Sequence, residues 1–186
     1  MTSLSRILFA ACIASCAALP IAQRAIAADQ KPGTTEATPL AQPAPKFSAK
    51  TLDGKTLLSD QLAGRPYIVN FFASWCPPCR TELPDMVALQ DKYKKEGFTF
   101  VGIAFKENEA TLPDFLWEYG VTWPVIMADQ NLIAAYGRHL PNGLKAIPAT
   151  FVIGRDGKLL AAISGAQSKA TFESLIQKAI RTRAAR

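Results

Sequence analysis

The apolar positions of this chain fall into short blocks of differing period. Tyr67-Ile68-Val69-Asn70-Phe71-Phe72 is a β-favouring run interrupted only by Asn70. A run of that kind, without polar alternation, predicts a central strand covered on both faces. Residues 98–105 predict the next strand, and residues 124–127 and 150–153 predict shorter ones. Between them, residues 77–96 read as a helix stopped by Gly97, and residues 112–119 as a helix stopped by Gly120. Thr111 and Asp114 have the spacing of a capping box for the second of these. Residues 132–136 predict a short helix that ends at Gly137.

Turn residues close the pattern at both ends. Asp53-Gly54, between residues 47–52 and 55–58, marks a hairpin. Ser59-Asp60 starts a short helix ahead of Gly64-Arg65-Pro66, and Arg155-Asp156-Gly157-Lys158 joins residues 150–153 to 159–163 in a second hairpin. Ser168 caps a last helix with Phe172, Leu175, Ile176 and Ala179 on one face. Strands alternating with helices, closed by a hairpin and a helix, predict one α/β sandwich around a mixed sheet.

The first 45 residues follow a different pattern. Residues 7–22 are apolar except for Ser15, Pro20 interrupts the run, and Ala25-Ile26-Ala27 offers a small-x-small cleavage site. Residues 1–27 therefore read as a signal peptide. The alternatives are an uncleaved membrane anchor and a lipoprotein processed at Cys16 within Ile13-Ala14-Ser15-Cys16. All three put the domain outside the cytoplasm, in a periplasmic or membrane-anchored extracytoplasmic setting. Residues 28–45, rich in Ala, Pro, Thr and Gln, read as a linker, and residues 46–186 as the domain.

Charge and cysteine count sharpen the functional reading. The net charge of +6 falls to +4 without a leader that carries Arg6, Arg24 and no acid. So small and scattered a surplus gives no reason to expect nucleic acid. Two of the four cysteines, Cys12 and Cys16, lie in the leader. The domain keeps Cys76 and Cys79, in Trp75-Cys76-Pro77-Pro78-Cys79, in a compartment that permits disulfides. Zinc wants four ligands, whereas the domain offers two cysteines and His139, so no cofactor is expected.

Pro77 and Pro78 fix where the helix starts. Each removes a backbone donor, which is harmless only in the first helical turn. Cys76 then becomes the N-cap, open to solvent at the positive end of the helix dipole, and Cys79 lies one turn in, partly beneath it. An accessible thiolate that attacks and a sheltered thiol that resolves are what dithiol–disulfide exchange needs. Glu82, a further turn along, is placed to raise the thiol pKa values and to take a proton from Cys79. The competing reading makes Glu82 an exposed early-helix acid.

The segment Asn70-Phe71-Phe72-Ala73-Ser74-Trp75-Cys76-Pro77-Pro78-Cys79-Arg80-Thr81-Glu82-Leu83-Pro84 resembles the active-site region of the TlpA/ResA-like thioredoxin family. The likeness covers roughly residues 45–180. It implies a thioredoxin-like sandwich, a central mixed β-sheet flanked by helices, with an N-terminal β-hairpin and an extra strand–helix insertion over residues 98–120. It also implies a redox-active Cys76–Cys79 disulfide and a role for Glu82 in the redox site. In Ala146-Ile147-Pro148-Ala149-Thr150, Pro148 matches the cis-proline that faces the dithiol, and the adjoining backbone at Ile147 would pair with extended substrate. Trp75 is expected to cover the dithiol, while Trp117 and Trp123 are expected to pack. The residue that is often a buried aspartate in thioredoxins is Asn70 here. Arg80 would favour a thiolate if it turned toward Cys76, and Pro84 is expected to kink the helix.

Members of that family are exported reductases often tied to cytochrome c maturation. The resemblance therefore implies disulfide-containing exported proteins as partners, apocytochrome c among them, and a membrane thiol–disulfide electron donor. Ala149 departs from the stricter cytochrome branch, which is acidic at that position. Pro77 and Pro78 withhold two amide donors from a Cys76 thiolate, which favours a reductase over an oxidase. The alternative class is a copper-site thiol reductant or metallochaperone using the same two cysteines.

Overall fold

The computed structural model describes residues 42–184. The leader at residues 1–27 and all but the last four residues of the linker lie outside the described residues. Six strands form the main sheet: β1 (Gln42–Pro43), β4 (Tyr67–Phe72), β5 (Thr99–Ala104), β6 (Val125–Met127), β7 (Ala149–Ile153) and β8 (Lys158–Ser164). Their order is β1-β8-β7-β4-β5-β6. β5 runs parallel to β4 and β6 to β5, whereas β7, β8 and β1 pair antiparallel. The sheet is therefore mixed, with β4 at its centre. A separate hairpin of β2 (Ser48–Lys50) and β3 (Thr56–Leu58) is tied to the β6 edge by a Thr51–Ile126 bridge.

Side-chain alternation along β4 divides the interior in two. Ile68 and Phe72 face a core shared with α1 (Pro77–Tyr93), α2 (Leu112–Glu118) and α4 (Lys169–Ile180). Tyr67, Val69 and Phe71 face a second core, filled by Phe151, Ile153 and by Tyr136 of α3 (Gln130–Gly137). Phe71, Tyr136 and Phe151 meet edge to face, with ring centroids 4.9 to 5.8 Å apart. Asn70 is on the α1 face, so the one polar residue of β4 points at the helix that carries both cysteines.

Three local expectations need correction. Gln42–Pro43, assigned to the linker, pairs with Leu159 and Lys158 of β8. Such an edge strand is held by backbone bonds and leaves no hydrophobic period to read. Thr111 already has helical dihedrals, so its side chain makes no cap; Asn108 starts the turn instead, its carbonyl accepting from Thr111 and Leu112. Gly137 ends α3 as expected, and a Cβ there would come within 3.0 Å of the Leu144 backbone nitrogen, so the glycine also permits a close approach. Trp117, expected to pack, is 86% exposed, whereas Trp123 is buried against Phe100 at 5.2 Å.

That contrast gives a direct check on the core. Trp123→Ala should cost about 3–5 kcal/mol in urea unfolding, and Trp117→Ala should stay within about 0.5 kcal/mol of wild type. Equal losses would contradict the packing described.

Candidate active site

The site is assembled where β4 ends and α1 begins. Ala73 accepts from the Cys76 N–H at 3.2 Å, and Cys76, with extended dihedrals, is the N-cap of α1. Pro77 and Pro78 fill the first two helical positions. The Cys79 N–H donates to Cys76 Sγ at 3.4 Å. It is therefore the amide that reaches this sulfur from the first turn. The two sulfurs are joined in a disulfide, with Cα atoms 5.3 Å apart.

Cys76 was expected to be open to solvent, but only 3% of it is accessible and 1% of Cys79. Across from the disulfide, the Ile147–Pro148 peptide is cis, and the Ile147 carbonyl oxygen lies 3.8 Å from Cys76 Sγ. In the disulfide Cys76 has no S–H to donate, so this is a contact; on reduction the thiol gains that carbonyl as an acceptor. Ile147 packs against both cores, which seats its loop over the sulfur. The geometry thus brings Cys76, Cys79, Ile147 and Pro148 together.

Trp75 lies beside this cluster but is 55% exposed, its Nε1–H donating to the Lys106 carbonyl at 3.3 Å. The Ser74 N–H donates to the Glu107 carboxylate, and the Ser74 carbonyl accepts from Arg80 Nη1 at 3.2 Å. Arg80 also sits 5.6 and 5.4 Å from the ring centres of Phe115 and Tyr119. Its guanidinium is thus engaged by α2 and the loop. α1 runs through Pro84 without a break.

Glu82 is only 3% exposed, which removes the reading of an exposed helix acid. Asn70 Nδ2 donates to Oε1 at 3.0 Å, and the Gln167 N–H donates to Oε2 at 3.1 Å. Burial pushes the carboxyl up to about 7, against the pull of the Gln167 and Asn70 hydrogen bonds toward the ionised form. Among the described residues there is no cluster of three or more His, Cys, Asp and Glu able to hold a metal ion.

Sequence reasoning missed Glu107, Thr150, Gln167 and the positive part of Asn70. Asn70 had a signal, as the single polar residue in a buried strand. Glu107 had a weaker one: β4 and β5 are parallel neighbours, so the residues after them come out side by side. Gln167 contributes through its backbone and had none.

The raised Glu82 pKa carries a stability consequence. An acid held above its usual value stabilises the fold fully below about 4.5, and that contribution is lost as pH rises through about 7. Glu82→Gln does not titrate. Its stability relative to wild type should therefore grow between pH 4.5 and 8, by on the order of 3 kcal/mol if the shift is fully expressed. Parallel pH profiles of urea unfolding for the two proteins would show Glu82 to be solvated.

Comparison with known proteins agrees with this geometry. The Redoxin family profile matches residues 39–177. The thiol-disulfide oxidoreductase ResA of Bacillus thuringiensis (strain Al Hakam) is 33% identical over 136 residues, 73% of this chain and 75% of that protein. ResA of Bacillus subtilis (strain 168) is 28% identical over 127 residues, 68% of each chain. A crystal structure of a thioredoxin-family thiol:disulfide interchange protein from Chlorobium tepidum TLS is 44% identical. It covers 78% of this chain and 99% of its own, with a TM-score of 0.72. Fold, cysteine pair and relatives agree: the chain belongs to the Redoxin family and is a thiol–disulfide oxidoreductase of the thioredoxin fold.

Proposed function

We propose that this oxidoreductase is an exported reductase of protein disulfides, with Cys76 as attacking thiol, Cys79 as resolving thiol and Glu82 as their acid–base partner. The observation that carries the reading is the start of α1, where Cys76 Sγ receives one amide hydrogen bond from the first turn and a buried carboxyl stands two turns on. In the forward direction the Cys76 thiolate attacks one sulfur of a substrate disulfide. A Cys76–substrate bond forms, and the other substrate sulfur leaves as a thiolate. Cys79 then passes its proton to ionised Glu82 and attacks Cys76 Sγ. The Cys76–Cys79 disulfide closes, and the second substrate sulfur leaves, two electrons having passed to the substrate.

Magnitudes support this direction. A helix N-terminus favours a thiolate by about 0.3–1 kcal/mol, less than one pKa unit. The strongest disulfide-forming oxidants depress their thiol by about five units, on the order of 7 kcal/mol. Pro77 and Pro78 supply no N–H, and the Glu82 charge opposes the thiolate, so stabilisation on that scale has no source among the described residues. Ile147 and Pro148 are proposed as the backbone edge that pairs with extended substrate, with Trp75 as an exposed apolar contact beside it. Exported proteins carrying disulfides are the substrate class, with the Cys-x-x-Cys-His segment of apocytochrome c as the specific candidate. A reductant in an oxidising compartment must be recharged, so a membrane thiol–disulfide carrier is the proposed donor.

Cys79→Ser should accumulate mixed disulfides through Cys76, whereas Cys76→Ser should accumulate none. Faster alkylation of Cys79 than of Cys76 in the reduced protein would reverse the assignment. The reduction potential should fall nearer about −270 mV than about −120 mV, and a value at the upper figure would make the protein an oxidase. For export, N-terminal sequencing of native protein should begin at Ala28. An intact Met1 would favour the anchor, and lipid on Cys16 the lipoprotein.

A further inference from the structure

Asn70 is a primary amide on a strand buried from both sides, where an unpaired polar group is costly and its partners are informative. Its nitrogen donates in two directions, to Glu82 Oε1 at 3.0 Å and to Thr150 Oγ1 at 3.2 Å. All three residues are buried. Asn70 and Thr150 are directly opposed in the β4–β7 register, and Thr150 stands two residues beyond Pro148. The amide therefore joins the acid on α1 to the strand that carries the cis-proline loop.

We propose that Asn70 is the positioning residue of Glu82. Its amide holds one carboxyl oxygen as a hydrogen-bond acceptor, and Thr150 fixes that amide. The inference rests on the reading of Glu82 as the acid–base partner of Cys79. A carboxyl at the end of a side chain with three rotatable bonds must be held if one oxygen is to collect a proton on each turnover. Donors meet both oxygens, Asn70 Nδ2 on Oε1 and the Gln167 N–H on Oε2, and each favours the ionised form over the protonated one. Burial works in the opposite sense. Burial already outweighs the two donors; without the Asn70 donor it does so by more, and the acid stays protonated to higher pH, when it should accept. An aspartate at position 70 would place a second negative charge against the first.

The surroundings leave this balance to few groups. From β4 and the loop before α4, the groups that hydrogen-bond Glu82 are Asn70 and the Gln167 N–H, and from β7 Thr150 meets Asn70; none of them is titratable. On α1 itself, Cys79 titrates only when reduced, and Asp85, one turn beyond Glu82, lies 3.9 Å from Lys169 of α4 with both half-exposed. Neither Asp85 nor Lys169 hydrogen-bonds the carboxyl.

The test is a ¹³C NMR titration of the Glu82 carboxyl in the oxidised protein, where the cysteines do not titrate, with the signal assigned by its loss in Glu82→Gln. The pH dependence of insulin disulfide reduction is measured alongside. Asn70→Ala should raise the Glu82 midpoint by about one unit or more, and the midpoint of the turnover profile should move the same way. Thr150→Val, similar in shape but without the hydroxyl, should move both by less in the same direction, and Thr150→Ser should restore them. If Asn70→Ala does not fold, the two Thr150 variants carry the measurement. An unmoved Glu82 midpoint in the folded variants overturns the proposal. A moved midpoint with an unmoved turnover profile instead overturns the acid–base reading of Glu82, and with it the part of Asn70 in the reaction, while leaving the hydrogen bond in place.

Discussion

Helix α1 begins at Pro77, and the site inherits its geometry from that start. Two consecutive prolines fit a helix only where backbone N–H groups have no intrahelical partner. Their rigid dihedrals then hold Cys76 at the cap. From there the helical repeat decides the rest. Cys79 comes one turn later and Glu82 a second, on the side that faces the sheet, where both are buried. A helix starting one residue away would rotate all three by about 100° and lose the overlap with the Ile147–Pro148 loop. The same two prolines limit how much a Cys76 thiolate is stabilised. The position of the site and its proposed redox direction thus share one cause.

A buried carboxyl is tolerated only where its lone pairs are occupied, and the fold supplies the occupants from three elements. β4 gives Asn70, β7 steadies that amide through Thr150, and the loop before α4 turns the Gln167 N–H inward. None of these is adjacent to Glu82 in sequence, being 12, 68 and 85 residues away by number. They meet because β4 is central, with β7 and β5 on either side and α1 packed over it. On the outer side, the residues after β5 perform a similar service for the loop after β4. Glu107 and Arg80 hold the two ends of the Ser74 peptide unit's neighbourhood, and Lys106 anchors Trp75.

The residue at position 70 shows how the chain arrives at one acid by its own route. In place of a carboxylate on the central strand there is an amide, and the carboxylate stands on the helix. The pair keeps a single titrating acid between α1 and the sheet, where a carboxylate at position 70 would stand within hydrogen-bond distance of the first. Arg80 is turned to the Ser74 carbonyl and to the rings of Phe115 and Tyr119.

Much of this was determined by the sequence alone, because it depends on neighbours along the chain. The limits of β4, the start of α1, the Asp53-Gly54 hairpin and the Ser168 cap are local matters of period, proline and turn chemistry. The Cys76, Cys79 and Glu82 spacing belongs with them. Tertiary structure decided what required distant parts to meet. Burial of Glu82 depends on Gln167 and Asn70, and closure over Cys76 on a loop 71 residues away. The exposure of Trp117 and the edge pairing of Gln42–Pro43 are likewise invisible in composition or period, since a lone aromatic reads the same inside or out and an edge strand is held by backbone groups that every sequence carries.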